Sequence, residues 1–282
     1  PVAGILQTAD ITFGNYEGTL REGGEPAKFC KDMRRCYLFR SPPHYVQALS
    51  KAGFDVISLA NNHARDFGEE GRQSSMAALA AAGIQHSGML GDVASWTVKG
   101  RRVAMIAYAP FRGAHTPLEI GQAQATVREL AAQHDLVIVS MHMGGEGAEA
   151  TRIPFAEEYF HGELRGDVVK FSRAVVDAGA DLVLGHGPHV PRALELYQER
   201  LIAYSLGNFC TYYGINVQGL NGLAPILKVR LDGEGRFLGG HIVSTRQVRP
   251  GGPLPDPTNE SARLMARLTG LDFPDTPLAI SD

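Results

Sequence analysis

Four apolar runs in this 282-residue chain each end on a polar cluster, and that repetition limits the folds open to it. Asp10–Gly14 leads into Asn15-Tyr16-Glu17. Phe54–Ala60 leads into Asn61-Asn62-His63, with Asp66 in the loop that follows. Asp135–Met141 leads into His142 and Gly144-Gly145-Glu146, and Asp181–Gly185 into His186-Gly187-Pro188-His189. Short, nearly continuous apolar runs suit strands buried on both faces. Segments of helical spacing lie between them: His44–Ala52 stopped by Gly53, Gly71–Ala82 ended by Gly83, Gln122–Gln133, and Gly166–Ala178 capped by Gly179. Strands that alternate with helices predict βαβ units and a sheet covered on both sides. Lys99-Gly100, between Trp96–Val98 and Arg101–Ala109, predicts a hairpin.

The second half changes character. Ala193–Tyr197, Leu201–Leu206, Ala224–Leu231 and Phe237–Thr245 read as strands with few helices between them, and Gly233-Glu234-Gly235 reads as a turn. A short helix near Glu260–Leu268 follows the Pro/Gly-rich stretch Arg249–Pro257. There is no internal repeat and no long linker. The simplest architecture is one α/β domain with two packed sheets over residues 1–248, and a Pro/Gly-rich C-terminal extension over residues 249–282.

Charge is mixed, with a net of −3, and no Lys/Arg stripe marks a nucleic-acid-binding face. No run approaches the roughly 18–20 apolar residues of a membrane-spanning helix. The chain opens on Pro1 without an initiator Met or a signal peptide, so its natural start is expected upstream. Cys30 and Cys36 flank a basic loop and either pair or remain free thiols; with Cys210, they show no structural-zinc spacing. Lys28, Lys31, Arg34 and Arg35 form either a solvated loop or a lid over an anionic substrate.

In open α/β sheets, ligands bind where the carboxyl ends of the strands line up. The four clusters are therefore expected to converge on one pocket. Imidazole, carboxylate and amide oxygen together suit Zn, Mn or Fe, and they equally suit proton transfer. Each cluster also has a plainer reading. Asn61-Asn62-His63 fits a turn and helix cap, Asn15 and Glu17 fit ordinary loop polar groups, and His142 fits a satisfied core histidine. His186 and His189, on either side of Gly187-Pro188, fit a purely structural role least well. His44, His86, His115, His134, His161 and His241 read as solvent-facing or packing residues.

At these residues the chain resembles the bacterial CapA family, named for capsule and poly-γ-glutamate synthesis. The likeness is carried by Ala9-Asp10…Asn15-x-Glu17-Gly18, Ser58-Leu59-Ala60-Asn61-Asn62-His63…Asp66-x-Gly68, and His142-x-Gly144. It continues through Gly185-His186-Gly187-Pro188-His189 and Tyr204-Ser205-Leu206-Gly207-Asn208-Phe209, collinear over roughly residues 5–210. The resemblance implies a four-layer αββα sandwich of metallophosphatase type and a metallophosphoesterase-like hydrolase using divalent Mn, Fe or Zn. It implies metal ligands at Glu17, Asn62, His142, His186 and His189, and catalytic roles for His63, Glu17 and Asp66. Asn15, Asn61, Glu146 and Asn208 would contact substrate. The family's opening Gly-Asp motif, with its metal-holding Asp and a central strand, is expected before Pro1. Capsular polymer or a small anionic substrate and capsule-synthase partners are implied, with no nucleic acid, and the family suggests the extracytoplasmic face of the cell envelope. Two further readings of the same pocket stay open: a non-catalytic accessory factor in polymer assembly or export, and metal-independent acid/base chemistry.

Overall fold

The computed structural model describes residues 1–27 and 37–280. Cys30, Cys36 and the basic run Lys28, Lys31, Arg34 and Arg35 lie outside the described residues.

Two sheets face each other. One is parallel and three-stranded, with Val56–Ser58 between Phe13–Asn15 and Gln85–Ser87. The other has six strands in the order Leu194–Tyr197, Arg200–Ala203, Leu182–His186, Leu136–His142, Arg101–Tyr108 and Ala94–Val98. Its four central strands run parallel, and each edge strand is the antiparallel arm of a hairpin. The Lys99-Gly100 turn has both residues at positive φ, 49° and 80°, as a tight hairpin between twisted strands requires.

Side-chain alternation assigns the layers. Val103 and Met105 face the core between the sheets, with Ile138, Leu182, Leu184 and Leu201, against Val56 and Phe13 of the smaller sheet. Ala104 and Ile106 face the other way, with Val137, Val139, Val183 and Ile202, and pack on Val127, Phe171 and Val175 of the helices Ile120–Gln133 and Val168–Asp177. The smaller sheet's Ile57, with Leu59 just beyond it, meets Val46 and Leu79 of the helices Val46–Ala52 and Gly68–Ala81. The result is helix, sheet, sheet, helix: the four-layer αββα order expected. Each fully buried Val, Leu, Ile or Phe contributes roughly 1.5–3 kcal/mol, so the central sheet is the main source of stability.

Element boundaries depart from expectation in instructive places. The first strand lies at Phe13–Asn15 rather than Asp10–Gly14, because a short helix at Ala3–Leu6 occupies the entry and Thr12 Oγ1 donates to Leu6 O at 2.8 Å. Phe237–Thr245 splits at Ser244. Phe237–Val243 pairs with Ile226–Leu231, while Thr245–Gln247 changes partner to Pro253–Pro255. The hairpin Glu158–Phe160/Glu163–Gly166 was unforeseen, since its polar residues carry no apolar alternation. The last helix runs longer, Glu260–Asp272, with Leu264, Met265 and Leu268 in the core. Among the described residues, Phe13–Asn15 has one strand partner. The hairpin Ile226–Leu231/Phe237–Val243 shares its core layer without pairing to it.

Candidate functional site

His142 and His186 are the last residues of adjacent parallel strands and are register partners. The ladder continues one step further, with Met143 N donating to His186 O at 2.9 Å. On the smaller sheet, Asn15 is the register partner of Ser58, so Glu17 and Asn61-Asn62-His63 leave adjacent strands in the same direction. The two sheets present these ends to one space. The Phe13 and His186 rings lie 5.6 Å apart, and His189 Nε2 stands 3.5 Å from Glu17 Oε1. The clusters after all four strands converge on one pocket.

The smaller-sheet side is internally bonded. Asn61 Nδ2 donates to Asn15 Oδ1 at 3.2 Å and Tyr16 O at 2.9 Å, while its Oδ1 accepts from His63 N at 3.0 Å. Asn15 and Asn61 therefore shape the turn that presents His63. Asp66 is buried and joins His63 Nδ1 at 2.8 Å, also accepting from Phe39 N at 2.8 Å. This carboxylate engages Nδ1 and leaves Nε2 as the ring nitrogen available for proton transfer. The Phe39 ring packs 4.3 Å from the imidazole and fixes its plane.

On the larger-sheet side, His142 is 1% exposed, and neither ring nitrogen has a hydrogen-bond partner among the described residues. The same holds for His186 Nε2, Asn62 Oδ1 and, apart from its approach to His189, Glu17 Oε1. Burial holds the His142 imidazolium well out of reach, and the neighbouring His189 and His186 add to the effect. Burial, then His189, lowers His186 to about 4. His189 differs. Burial opposes its charge, but Glu17, Glu146 (Oε2 at 3.9 Å) and the Asn208 contact together raise its pKa. His189 Nδ1 meets Asn208 Oδ1 at 2.8 Å, and Asn208 Nδ2 reaches the carbonyls of His189, Asn216 and Asn221. Asn208 thus positions His189, whose backbone sits at φ +59°, a conformation non-glycine residues adopt at a cost.

Three residues that the sequence did not single out brace this side. Arg192 is fully buried, bidentate to Glu158 at 2.8 and 2.7 Å, and Glu158 Oε2 accepts from Gly145 N at 2.9 Å. Arg165, 3% exposed, donates to Glu146 Oε1 at 2.7 Å and lies 4.9 Å over the Phe111 ring, which in turn meets His142. A charged residue inside an otherwise apolar stretch, as in Val190-Pro191-Arg192-Ala193-Leu194, was the available signal. Gly187 completes the floor: at φ +117°, a Cβ there would lie 2.6 Å from Met143 O.

The donor set suits a divalent transition ion in chemistry: neutral buried imidazoles, an amide oxygen and a carboxylate, whose buried atoms make no hydrogen bond among the described residues. No three of the described His, Cys, Asp and Glu side chains already stand as a ligand cluster. Two of the remaining histidines pair elsewhere, His86 with Asp92 at 3.0 Å and His134 with Ser95 at 2.8 Å.

A four-layer domain with a histidine, asparagine and carboxylate pocket at its strand ends defines the class. A family model of the bacterial capsule synthesis proteins (PGA_cap) matches residues 1–213, which include every pocket residue named above except Asn216 and Asn221, and the chain belongs to that family. It is 32% identical over 231 residues to a probable polyglutamine synthesis accessory protein of Mycobacterium tuberculosis, covering 72% of this chain and 56% of that protein. It is 25% identical over 222 residues to the PGA biosynthesis protein CapA of Bacillus subtilis, covering 73% and 54%. The chain spans about half the length of these curated relatives. Among solved structures, a hypothetical protein from Thermus thermophilus superposes with a TM-score of 0.51 at 16% identity, covering 86% of this chain and 91% of that one. At that identity the likeness speaks for the fold alone.

Proposed function

We propose that this domain is a metal-dependent hydrolase acting in capsule or polyglutamate synthesis on an anionic polymer or a small anionic intermediate. One observation carries the reading: both nitrogens of His142 and the Nε2 of His186 are buried at the ends of adjacent strands without a hydrogen-bond partner among the described residues. An unmet buried polar atom costs about 1–3 kcal/mol, and a bound ion would remove that cost at one nitrogen of each ring. His142 and His186 would hold the ion, with Asn62 and Glu17 beside them. A divalent ion held there would supply polarisation of the scissile group and a lowered pKa for a bound water.

The remaining steps belong to the chain's own side chains. His63, its Nδ1 held by Asp66, presents Nε2 for proton transfer to a leaving group. Glu17 and Glu146 flank His189 and raise its pKa, which suits it to exchange a proton within the pocket. Asn208 and Arg165 hold His189 and Glu146 in place.

The test is metal content and turnover together. Purified protein should carry Mn, Fe or Zn by elemental analysis, lose it in His186→Ala, and shorten capsular polymer only when loaded. Turnover that persists in excess EDTA overturns the metal reading and favours acid/base chemistry by His189 and the two carboxylates. A second reading, a non-cleaving accessory factor, is favoured by the word "accessory" in the name of the Mycobacterium tuberculosis relative. Unchanged polymer output with His63→Ala in the full-length protein would select it.

A further inference from the structure

A cleft of about 180 Å³ opens beside the histidine pocket, lined by Asn61, Asn62, Arg65, Asp66, Phe111 and Arg112 among others. It joins the pocket at two points. Asn62 contributes its unpartnered buried Oδ1, and Phe111 meets the His142 ring with centroids 6.1 Å apart.

The charge on its walls is unbalanced. Arg72 is buried and bidentate to Glu69, and donates to Gly113 O at 2.6 Å, so its role is to anchor the 111–114 loop. Arg65 shares the same Glu69, at 3.5 Å, and its shielded Nε makes no hydrogen bond. Arg112 is exposed, and its guanidinium joins no ion pair among the described residues. Glu69 thus faces two guanidiniums, and a third has no carboxylate. Asp66 is engaged through Oδ2 by His63 and Phe39 N, and with it counted three guanidiniums still face two carboxylates. Arg65 Nη1 reaches Arg112 O at 3.4 Å, which keeps the two arginines on one wall.

We infer that Arg65 and Arg112 form an oxyanion-binding subsite next to His63, taking a carboxylate or phosphate group of the substrate. Guanidinium forks bind planar oxyanions through paired N–H donors, and a shielded, unsatisfied N–H strengthens such a bond. The subsite lies on the substrate's path to His63, so it selects anionic chains and sets their register against the pocket. This deepens the hydrolase reading by naming the substrate group, and it rests on that reading only for the step after binding.

The experiment is binding without turnover, by calorimetry at low and moderate salt. Tri-glutamate and inorganic pyrophosphate serve as probes, and the tighter of the two assigns carboxylate or phosphate as the group. Arg112→Ala and Arg65→Gln should each weaken the preferred probe about 10-fold or more, Arg112→Glu should abolish binding, and added salt should weaken the wild type. Metal content should not change in any of these variants. The same titrations in excess EDTA are the reciprocal control, since the difference between wild type and Arg112→Glu should persist there. Wild-type affinity in Arg112→Glu, whose exposed site tolerates the change, would overturn the subsite, as would failure of both probes to bind the wild type. If the metal reading fails while Arg112→Glu still loses the probe, the subsite stands alone.

Discussion

The strands Leu136–His142 and Leu182–His186 look alike from one end to the other, yet their two ends differ in kind. At the start, Asp135 and Asp181 are satisfied: Asp135 Oδ2 accepts from Arg102 N at 2.8 Å, and Asp181 Oδ2 accepts from Val137 N at 2.8 Å with Arg200 Nε 3.2 Å from its Oδ1. At the finish, His142 is buried more deeply than either, and it and His186 together carry three nitrogens with no hydrogen-bond partner among the described residues. Neighbouring strands in one packed sheet give opposite outcomes a few residues apart. The open lone pairs are therefore no product of loose packing; they belong to the end where the chemistry gathers.

The largest effect should come from the brace under the open end. Arg192→Met strands the buried Glu158 carboxylate and should cost about 3–5 kcal/mol in urea denaturation, whereas replacing both partners with apolar residues should recover most of it. A loss below about 1 kcal/mol would show that the loop over Gly145 is held by something else. Next, His142→Ala should reduce metal affinity by more than about 100-fold while Asp135→Asn leaves it unchanged, read by competition with a chelating dye. Equal losses at both ends would erase the contrast.

The closed end makes its own prediction. Burial pushes Asp181 up to about 6 from an ordinary 3.8, against the Val137 and Arg200 contacts that lower it. The folded state therefore holds a proton that the unfolded chain has released. Stability should be greatest below about pH 4 for this group and should fall by roughly 2–3 kcal/mol as pH rises to about 6 and beyond. Asp181→Asn keeps an acceptor for Val137 and should flatten that slope in denaturation curves taken from about pH 4 to 7. An unchanged slope would assign the pH dependence elsewhere. The smallest effect should be Asn208→Ala, at about 1 kcal/mol or somewhat more of stability, with the His189 side-chain resonances shifted in an NMR titration and the metal content retained.

The pocket was legible because its members sit next to local signals. Asn15, Glu17, Asn61, Asn62, His63, His142, His186 and His189 each end or follow a strand, and a strand is written in consecutive side chains. The braces were not legible. Arg192 finds Glu158 34 residues away, and Arg165 finds Glu146 19 residues away, through a hairpin whose polar sequence gave no periodic signal. Nor did composition reveal which histidine would be clamped and which left open.

By itself, then, the sequence determined the alternation of strands and helices, the glycine-set turns and the polar residue waiting at each strand end, since all of these depend on neighbours along the chain. Tertiary structure alone decided that His189 lies between two carboxylates, that both His142 nitrogens and His186 Nε2 make no hydrogen bond among the described residues, and that Arg65 and Arg112 share a wall with one acid too few. Those outcomes depend on which loops from two different sheets arrive at the same edge, and short-range propensities carry no information about that meeting.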